Sequence, residues 1–119
     1  MIKNGVSVLI STYNWSGALE LSLNSLLGQT ILPDEIVVAD DGSTEDTKEI
    51  IDLFAKRTTI PVIHCWQPDK GFRLSLARNI GLKSISYKYV VQIDGDVICH
   101  KNFIEDHLFY SQKGIFLSG

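Results

Sequence analysis

The chain has 119 residues, of which 45% are apolar, and this is enough for about one globular domain with its own core. The formal net charge is −3 and the basic residues are scattered, which argues against a nucleic-acid partner. No stretch approaches the ~20 consecutive apolar residues of a membrane span, so we expect no membrane insertion by this segment.

The first third of the chain predicts a strand, a helix and a second strand. Residues 6–10 are rich in β-branched side chains, which is typical of a central strand, and the polar residues 11–14 end it. Four leucines within 19–27 have helical spacing and would pack on a sheet. Gly28 is placed to end this helix, and residues 35–39 form the next strand.

The same strand-and-helix pattern then repeats. The second strand ends in the acidic residues 40–41, and Ser43 with Asp46 fits a capping box that would start a helix. Apolar side chains at helical spacing follow within residues 47–54. Residues 60–66 predict a third strand, and a proline near its start favours an edge position.

The second half of the chain predicts a further helix at 74–85, a strand at 89–94 and a last helix capped by Asn102. Apolar residues within 104–109 would face the core from that last helix. Another strand begins at 115–117. Because strands alternate with helices, we expect a three-layer α/β/α domain with a mostly parallel sheet.

Two predicted strands end in acidic residues, Asp40 with Asp41 and Asp94 with Asp96. Parallel sheets bind ligands outside the carboxyl ends of their strands, so these acids mark one predicted crevice. Gly95 would remove bulk and permit an unusual backbone angle, so that Asp94 and Asp96 could approach one divalent ion. Asp-Gly-Asp is also ordinary turn chemistry, and we expect either Asp40 or Asp41 to cap the following helix.

The cysteines and histidines indicate no additional site. Cys65 and Cys99 lie far apart without metal-binding spacing, which fits a reducing compartment. We expect a cytoplasmic location, with a parent protein peripheral at the membrane as the alternative. The three histidines lack metal-ligand spacing, and each is expected at the surface or at a strand end. His100 follows Asp96 closely enough to be considered as a phosphate contact.

Other doubly wound protein classes fit the chain poorly. A receiver domain needs an acidic pair after its first strand, where this chain has Ser11 and Thr12. The same turn lacks the glycine-rich sequence of dinucleotide oxidoreductases. It also lacks the phosphate-binding loop of nucleotide-triphosphate hydrolases.

Several motifs, in order along the whole chain, resemble those of the inverting family 2 glycosyltransferases, which have the GT-A fold. The matching stretches are 8–14, 25–30, 35–43, 77–81 and 93–96. Residues 70–73 resemble the bacterial polymerase and galactosyltransferase-like branch of that family. The resemblance implies that residues 1–119 are the Rossmann-like nucleotide-sugar-binding part of a GT-A domain, truncated before its acceptor-binding half.

The resemblance also implies roles for residues that bind the nucleotide. Tyr13 would stack on the nucleobase, and Ser11 and Thr12 would contact it through hydroxyl or backbone groups. Asp41 would accept the N3–H of uracil. Arg78 is a candidate for a phosphate or base contact, with a solvated or paired arginine on a helix face as the alternative.

A metal ion is implied as cofactor. Asp96 would hold Mn²⁺ or Mg²⁺ on the diphosphate, and Asp94 would approach the ribose or the metal. The implied activity is transfer of a sugar from a UDP-sugar to a glycan or lipid-linked acceptor, as in polysaccharide biosynthesis.

No residue of the chain matches the family's general base. Glu105 and Asp106 form an acidic pair, but they lie on the predicted last helix, where a solvated face is expected. We therefore expect the base to lie beyond Gly119 and the 119 residues alone to be inactive. The alternative is a nucleotide-sugar-binding module without catalysis.

Overall fold

The computed structural model describes residues 3–13, 16–40, 42–66, 83–95 and 97–112. The elements in these residues are β1 (Lys3–Thr12), α1 (Ser16–Leu27), β2 (Glu35–Asp40), α2 (Glu45–Lys56), β3 (Val62–Trp66), β4 (Tyr87–Asp94) and α3 (Phe103–Gln112). The helix predicted at 74–85 lies almost wholly outside the described residues, and the strand predicted at 115–117 lies entirely outside them. Among the helices described, none is long and apolar enough to span a bilayer.

The described strands form one parallel sheet in the order β3-β2-β1-β4. This confirms the α/β class, and it places β3 at an edge of the described sheet, as the proline near its start predicted. The chain moves outward from β1 to β2 and β3, and then crosses back to place β4 on the other side of β1. The strand order therefore reverses beside β1, and the crevice at the carboxyl ends of β1 and β4 is the expected ligand site.

The main core lies between one face of the sheet and the helices. Its α1 side is the predicted leucine stripe, with Leu19, Leu23 and Leu26 fully buried. α2 adds Phe54 and Ile51, which confirms the helical periodicity predicted for that segment. Burying each such side chain contributes about 1.5–3 kcal/mol, so this face fixes both helices on the sheet.

The opposite face of the sheet carries a second buried cluster. Leu9, Val37 and Ala39 are fully buried there, and Ile85 and Val90 pack against them. Successive side chains of a strand point to opposite faces, so β1 and β2 contribute to both clusters. Both strands are therefore held as central strands.

The start of α2 differs from the prediction. The residue that caps the helix is Thr44, one position later than the predicted capping box at Ser43, and its side chain makes no capping hydrogen bond. The box is wrong because the Ser43 N–H is already bonded to the Asp40 Oδ1 atom at 2.9 Å. Ser43 therefore belongs to the turn that follows β2.

The start of α3 follows Asn102, as predicted, but the cap comes from elsewhere. The Ile104 N–H donates to the Gln29 Oε1 atom at 3.0 Å, whereas the Asn102 Oδ1 atom is buried without a hydrogen-bond partner. A side chain 75 positions earlier in the sequence thus performs the capping that was assigned to Asn102.

Candidate functional site

The carboxyl ends of β1 and β4 bring predicted site residues together. In the parallel register, Ser11 lies opposite Asp94, and Thr12 lies opposite Asp40 of β2. Tyr13 follows β1 directly, so Ser11, Thr12, Tyr13 and Asp94 share one edge of the sheet. The other predicted site residues, which lie outside the described residues, are Asp41, Arg78 and Asp96.

Gly95 allows the end of β4 to lie in close contact with the end of β1. Its N–H donates to the Ser11 carbonyl oxygen at 2.7 Å, and an added Cβ would lie 2.9 Å from that oxygen and 3.2 Å from Thr12 Oγ1. Positive φ angles occur at Gly5 and Gly42 among the described glycines, but not at Gly95. The prediction that Gly95 supplies an unusual backbone angle is therefore wrong, and what it supplies is space.

Asp94, Gly95 and Val97, which we name the acidic turn, lie at the end of β4 and directly after it. The Val97 N–H donates to the Asp94 carbonyl oxygen at 3.1 Å, so the turn interpretation of Asp-Gly-Asp is confirmed. The Asp94 residue is nevertheless exposed at the carboxyl edge of the sheet. The motif therefore combines a turn with an exposed acidic residue at the sheet edge.

The donor chemistry at this edge fits a hard divalent cation. Asp94 provides carboxylate oxygens, which Mg²⁺ and Mn²⁺ prefer over nitrogen or sulfur ligands. Ser11 and Thr12 are each only 4% exposed, so most of their surface faces protein. Within the described residues, no group of three His, Cys, Asp or Glu side chains could hold a metal, and the second predicted carboxylate, Asp96, lies outside that part of the chain.

Asp40 is the acid that shapes the turn after β2. It is fully buried, with its Oδ1 atom bonded to the Ser43 N–H and its Oδ2 atom 2.7 Å from His64 Nε2. The expectation that one acid of the pair caps the following helix is wrong for Asp40, because its Oδ1 atom bonds the turn residue Ser43 and the helix is capped at Thr44. His64 was expected at the surface or at a strand end, but it lies within β3 with 16% of its side chain exposed. Its side chain meets Asp40 because His64 is in register with Val38, two residues before Asp40 on the same face.

Two further features fix this turn. Gly42 has a φ of +83°, a left-handed conformation that glycine adopts without steric cost. The Trp66 indole N–H donates to the Ser43 carbonyl oxygen at 3.0 Å, while 52% of Trp66 remains exposed. The chain on both sides of the predicted base-binding residue Asp41 is therefore held by hydrogen bonds.

A row of polar side chains on α1, which the sequence analysis missed, holds residues 97–101. We name residues 97–101 the anchor segment. Ser22 Oγ donates to the Val97 carbonyl oxygen, and Ser25 Oγ accepts the Cys99 N–H at 3.0 Å. Burial raises the pKa of the Cys99 thiol, with a smaller opposing effect from Ser25, so the thiol stays protonated and unreactive at neutral pH.

Gln29 and Thr30, just after α1, hold the far end of the anchor segment. Gln29 Nε2 donates to the His100 carbonyl oxygen at 2.7 Å, and the Thr30 N–H donates to the Lys101 carbonyl oxygen at 2.8 Å. α1 begins near the carboxyl edge and runs back along the sheet, so these contacts lie at its opposite end. His100 is therefore not placed as a phosphate contact, and its Nε2 atom instead lies 3.2 Å from Asp106 Oδ2.

Glu105, which forms the acidic pair of α3 with Asp106, is also hydrogen-bonded at the carboxyl-terminal end of α1. Thr30 Oγ1 donates to Glu105 Oε1 at 2.7 Å, and Glu105 is exposed. The expectation that Glu105 and Asp106 lie on the last helix is confirmed.

Comparisons with known proteins agree on one group. The family model described as Glycosyl transferase family 2 matches residues 7–115. Chondroitin synthase of Escherichia coli is 35% identical over 109 residues, which are 91% of this chain and 16% of that protein. Hyaluronan synthase of Pasteurella multocida is 36% identical over 94 residues, which are 78% of this chain and 10% of that protein.

A solved structure is similar over most of this chain. The crystal structure of S. aureus TarS 1–349 in complex with UDP-GlcNAc has a TM-score of 0.77 and 27% identity. The similarity covers 92% of this chain and 31% of that one. This chain thus spans a small part of the length of the proteins it matches.

Replacing Gly95 with alanine tests the close contact between β4 and β1. We expect Gly95→Ala to lower the free energy of unfolding by about 1–3 kcal/mol, because the added methyl group must displace the Ser11 carbonyl or the Thr12 side chain. Gly28→Ala is the control, since an added Cβ there would lie 3.9 Å from the Ser25 carbonyl oxygen, and we expect a change within about 0.5 kcal/mol. Urea unfolding followed by circular dichroism measures both. Equal stability of the two variants would contradict the contact.

Replacing Asp40 with alanine tests the buried hydrogen bonds of the β2 turn. We expect Asp40→Ala to lower the free energy of unfolding by about 2–3 kcal/mol, because the Ser43 N–H and His64 both lose their acceptor. Asp52→Ala is the matched control, because Asp52 makes an exposed 3.9 Å pair with Lys48 that contributes at most about 1 kcal/mol. The assignment fails if both substitutions lower thermal stability by the same amount.

Proposed function

The chain belongs to glycosyl transferase family 2, and on this premise we propose that the protein transfers a sugar from a UDP-sugar to a glycan or lipid-linked acceptor. We propose a metal-assisted inverting displacement at the carboxyl ends of β1 and β4. The observation that carries this proposal is the pairing of Ser11 with Asp94 where the strand order reverses. That is the position at which open parallel sheets bind their ligands.

The donor side of the proposal rests on the ends of β1 and β2. Tyr13 is half-buried after β1 and offers an aromatic face, and stacking on a base contributes roughly 1–3 kcal/mol. Asp41 is proposed to accept the uracil N3–H, and its neighbours Asp40 and Gly42 belong to the turn held by Ser43 and Trp66. The TarS structure with UDP-GlcNAc supports a UDP-sugar as donor.

The cation is proposed to be Mn²⁺ or Mg²⁺, held by Asp94 and the predicted ligand Asp96. When bound, it would neutralise the charge that develops on the departing nucleoside diphosphate. Asp94 is suited to this role because it ends a strand whose position is fixed by pairing with β1. Its carboxylate therefore needs little reorganisation to meet the diphosphate.

The acceptor side is proposed to come from additional sequence. The names of the chondroitin and hyaluronan synthases support a growing polysaccharide as acceptor. Within the part of the chain that the structure describes, both members of the acidic pair of α3 have other partners, Thr30 for Glu105 and His100 for Asp106. We propose that the general base and the acceptor-binding half lie outside these 119 residues, and the 16% and 10% coverage of the two synthases supports this.

The second candidate function is binding of a nucleotide-sugar without transfer. For the 119 residues alone, binding without transfer is favoured because no described acid at the carboxyl edge is assigned as a general base. Donor binding is common to both candidates, and sugar transfer separates them.

The donor site is tested by calorimetric titration of UDP in the presence of Mn²⁺. We expect Asp94→Asn to weaken UDP binding about tenfold or more, because the neutral amide is a poorer cation ligand than a carboxylate. Asp106→Asn is the control, since Asp106 pairs with His100 at the far end of α1, and its affinity should match that of the unsubstituted protein. Unchanged affinity of Asp94→Asn would leave the acidic turn with a structural role only.

Transfer is tested by incubating the 119-residue chain with UDP-GlcNAc, Mn²⁺ and a hyaluronan or chondroitin oligosaccharide. We expect UDP binding but no elongated product by mass spectrometry, because the proposed base is missing. Elongation by this chain would contradict the assignment of the base to additional sequence. Failure to bind UDP in the same preparation would contradict the donor site itself.

A further inference from the structure

The polar row on α1 occupies a position that a helix packed in a core normally gives to apolar side chains. Ser22 is fully buried and Gln29 is 6% exposed. A buried hydroxyl or amide without a partner is unfavourable by about 1–3 kcal/mol, so these residues are tolerated because each one bonds the anchor segment. Ser22 and Ser25 have the spacing i and i+3, which places both on one stripe of α1, and Gln29 follows two residues after the helix ends.

We propose that Ser22, Ser25 and Gln29 are positioning residues for cation binding, which fix the acidic turn through the anchor segment without touching the cation. This inference rests on the proposed function. It differs from the donor-site assignment because the three residues lie on α1 or just after it, and they act through main-chain atoms of residues 97–100.

The acidic turn is held from both of its ends. On the β4 side, the Gly95 N–H bonds to the Ser11 carbonyl oxygen. On the other side, the Val97 N–H bonds to the Asp94 carbonyl oxygen, and the Val97 carbonyl oxygen accepts from Ser22. A shift of Val97 is therefore transmitted directly to Asp94, which carries the predicted ligand oxygens.

The anchor segment depends on α1 for its hydrogen bonds. Residues 97–100 belong to neither a helix nor a strand, so their buried backbone groups need partners from side chains. Ser25 Oγ serves the Cys99 N–H, and it also donates to the Ser22 carbonyl oxygen at 2.6 Å. The bond to Ser22 therefore orients the Ser25 hydroxyl so that its oxygen can accept the Cys99 N–H.

Gln29 joins three parts of the chain through one amide. Its Nε2 atom donates to the His100 carbonyl oxygen and, at 3.2 Å, to the Ser25 carbonyl oxygen in the last turn of α1. Its Oε1 atom accepts the Ile104 N–H at the start of α3. Loss of this amide would release the far end of the anchor segment and the start of α3 together.

Ser7 provides a matched control for a purely structural role. It is also a fully buried serine, and its hydroxyl donates to Glu35 Oε1 at 2.8 Å. Ser7 lies opposite Glu35 at the amino-terminal end of β2, so Ser7→Ala removes the same kind of bond without touching the anchor segment. Its effect on binding measures what general destabilisation alone can do.

The experiment compares Ser22→Ala, Ser25→Ala and Ser7→Ala in the 119-residue protein by two measurements. Amide hydrogen exchange by NMR should accelerate about tenfold or more at Gly95, Val97 and Cys99 in the α1 variants only. The Kd for Mn²⁺ in the presence of UDP should rise about tenfold in the same two variants, as it does when groups that orient metal ligands are lost. Ser25→Thr keeps a hydroxyl and should retain most of the affinity.

Two results would overturn the inference while the donor site stands. One is unchanged exchange at these three amides, with Mn²⁺ and UDP binding intact. The other is an equal rise in Kd for Ser7→Ala at an equal loss of thermal stability. If the unsubstituted protein binds neither Mn²⁺ nor UDP, the proposed function fails and the role in cation binding fails with it.

Discussion

The parallel pairing of β1 with β4 is the constraint on which the candidate site depends. It brings Ser11 and Asp94, more than 80 positions apart in the sequence, to the same level of the sheet. β1 has buried side chains on both faces, so it cannot move without disturbing both clusters of the core. Gly95 then allows β4 to end in direct contact with β1. The position of the acidic turn is therefore restrained by a central strand.

α1 serves the fold and the site through two adjacent stripes of the same helix. One stripe consists of leucines that pack on the sheet. The other bonds the anchor segment through Ser22, Ser25 and, just after the helix, Gln29. The leucine stripe fixes α1 on the sheet, and α1 in turn fixes the position of the anchor segment.

Local periodicity was sufficient to predict the four strands that the structure describes, the first two helices and the acidic strand ends. The leucine spacing of α1 and the β-branched run of β1 are signals carried by neighbouring residues, so the sequence alone reports them. The bond between Asp40 and His64 joins residues 24 positions apart, and the Gln29 cap of α3 spans 75 positions. Such contacts depend on the register of the sheet and on the path of the chain. The capping box at Ser43 failed for the same reason, because a competing acceptor on β2 had already engaged its amide.

The contacts of the anchor segment have an evolutionary consequence. α1 holds it through peptide groups of Val97, Cys99 and His100, while the side chains of Ile98 and Lys101 face solvent. Mutational drift at the two outward positions can therefore alter the local surface without disturbing the carboxylate geometry. Diversification of that surface and preservation of the chemistry are uncoupled within a stretch of five residues.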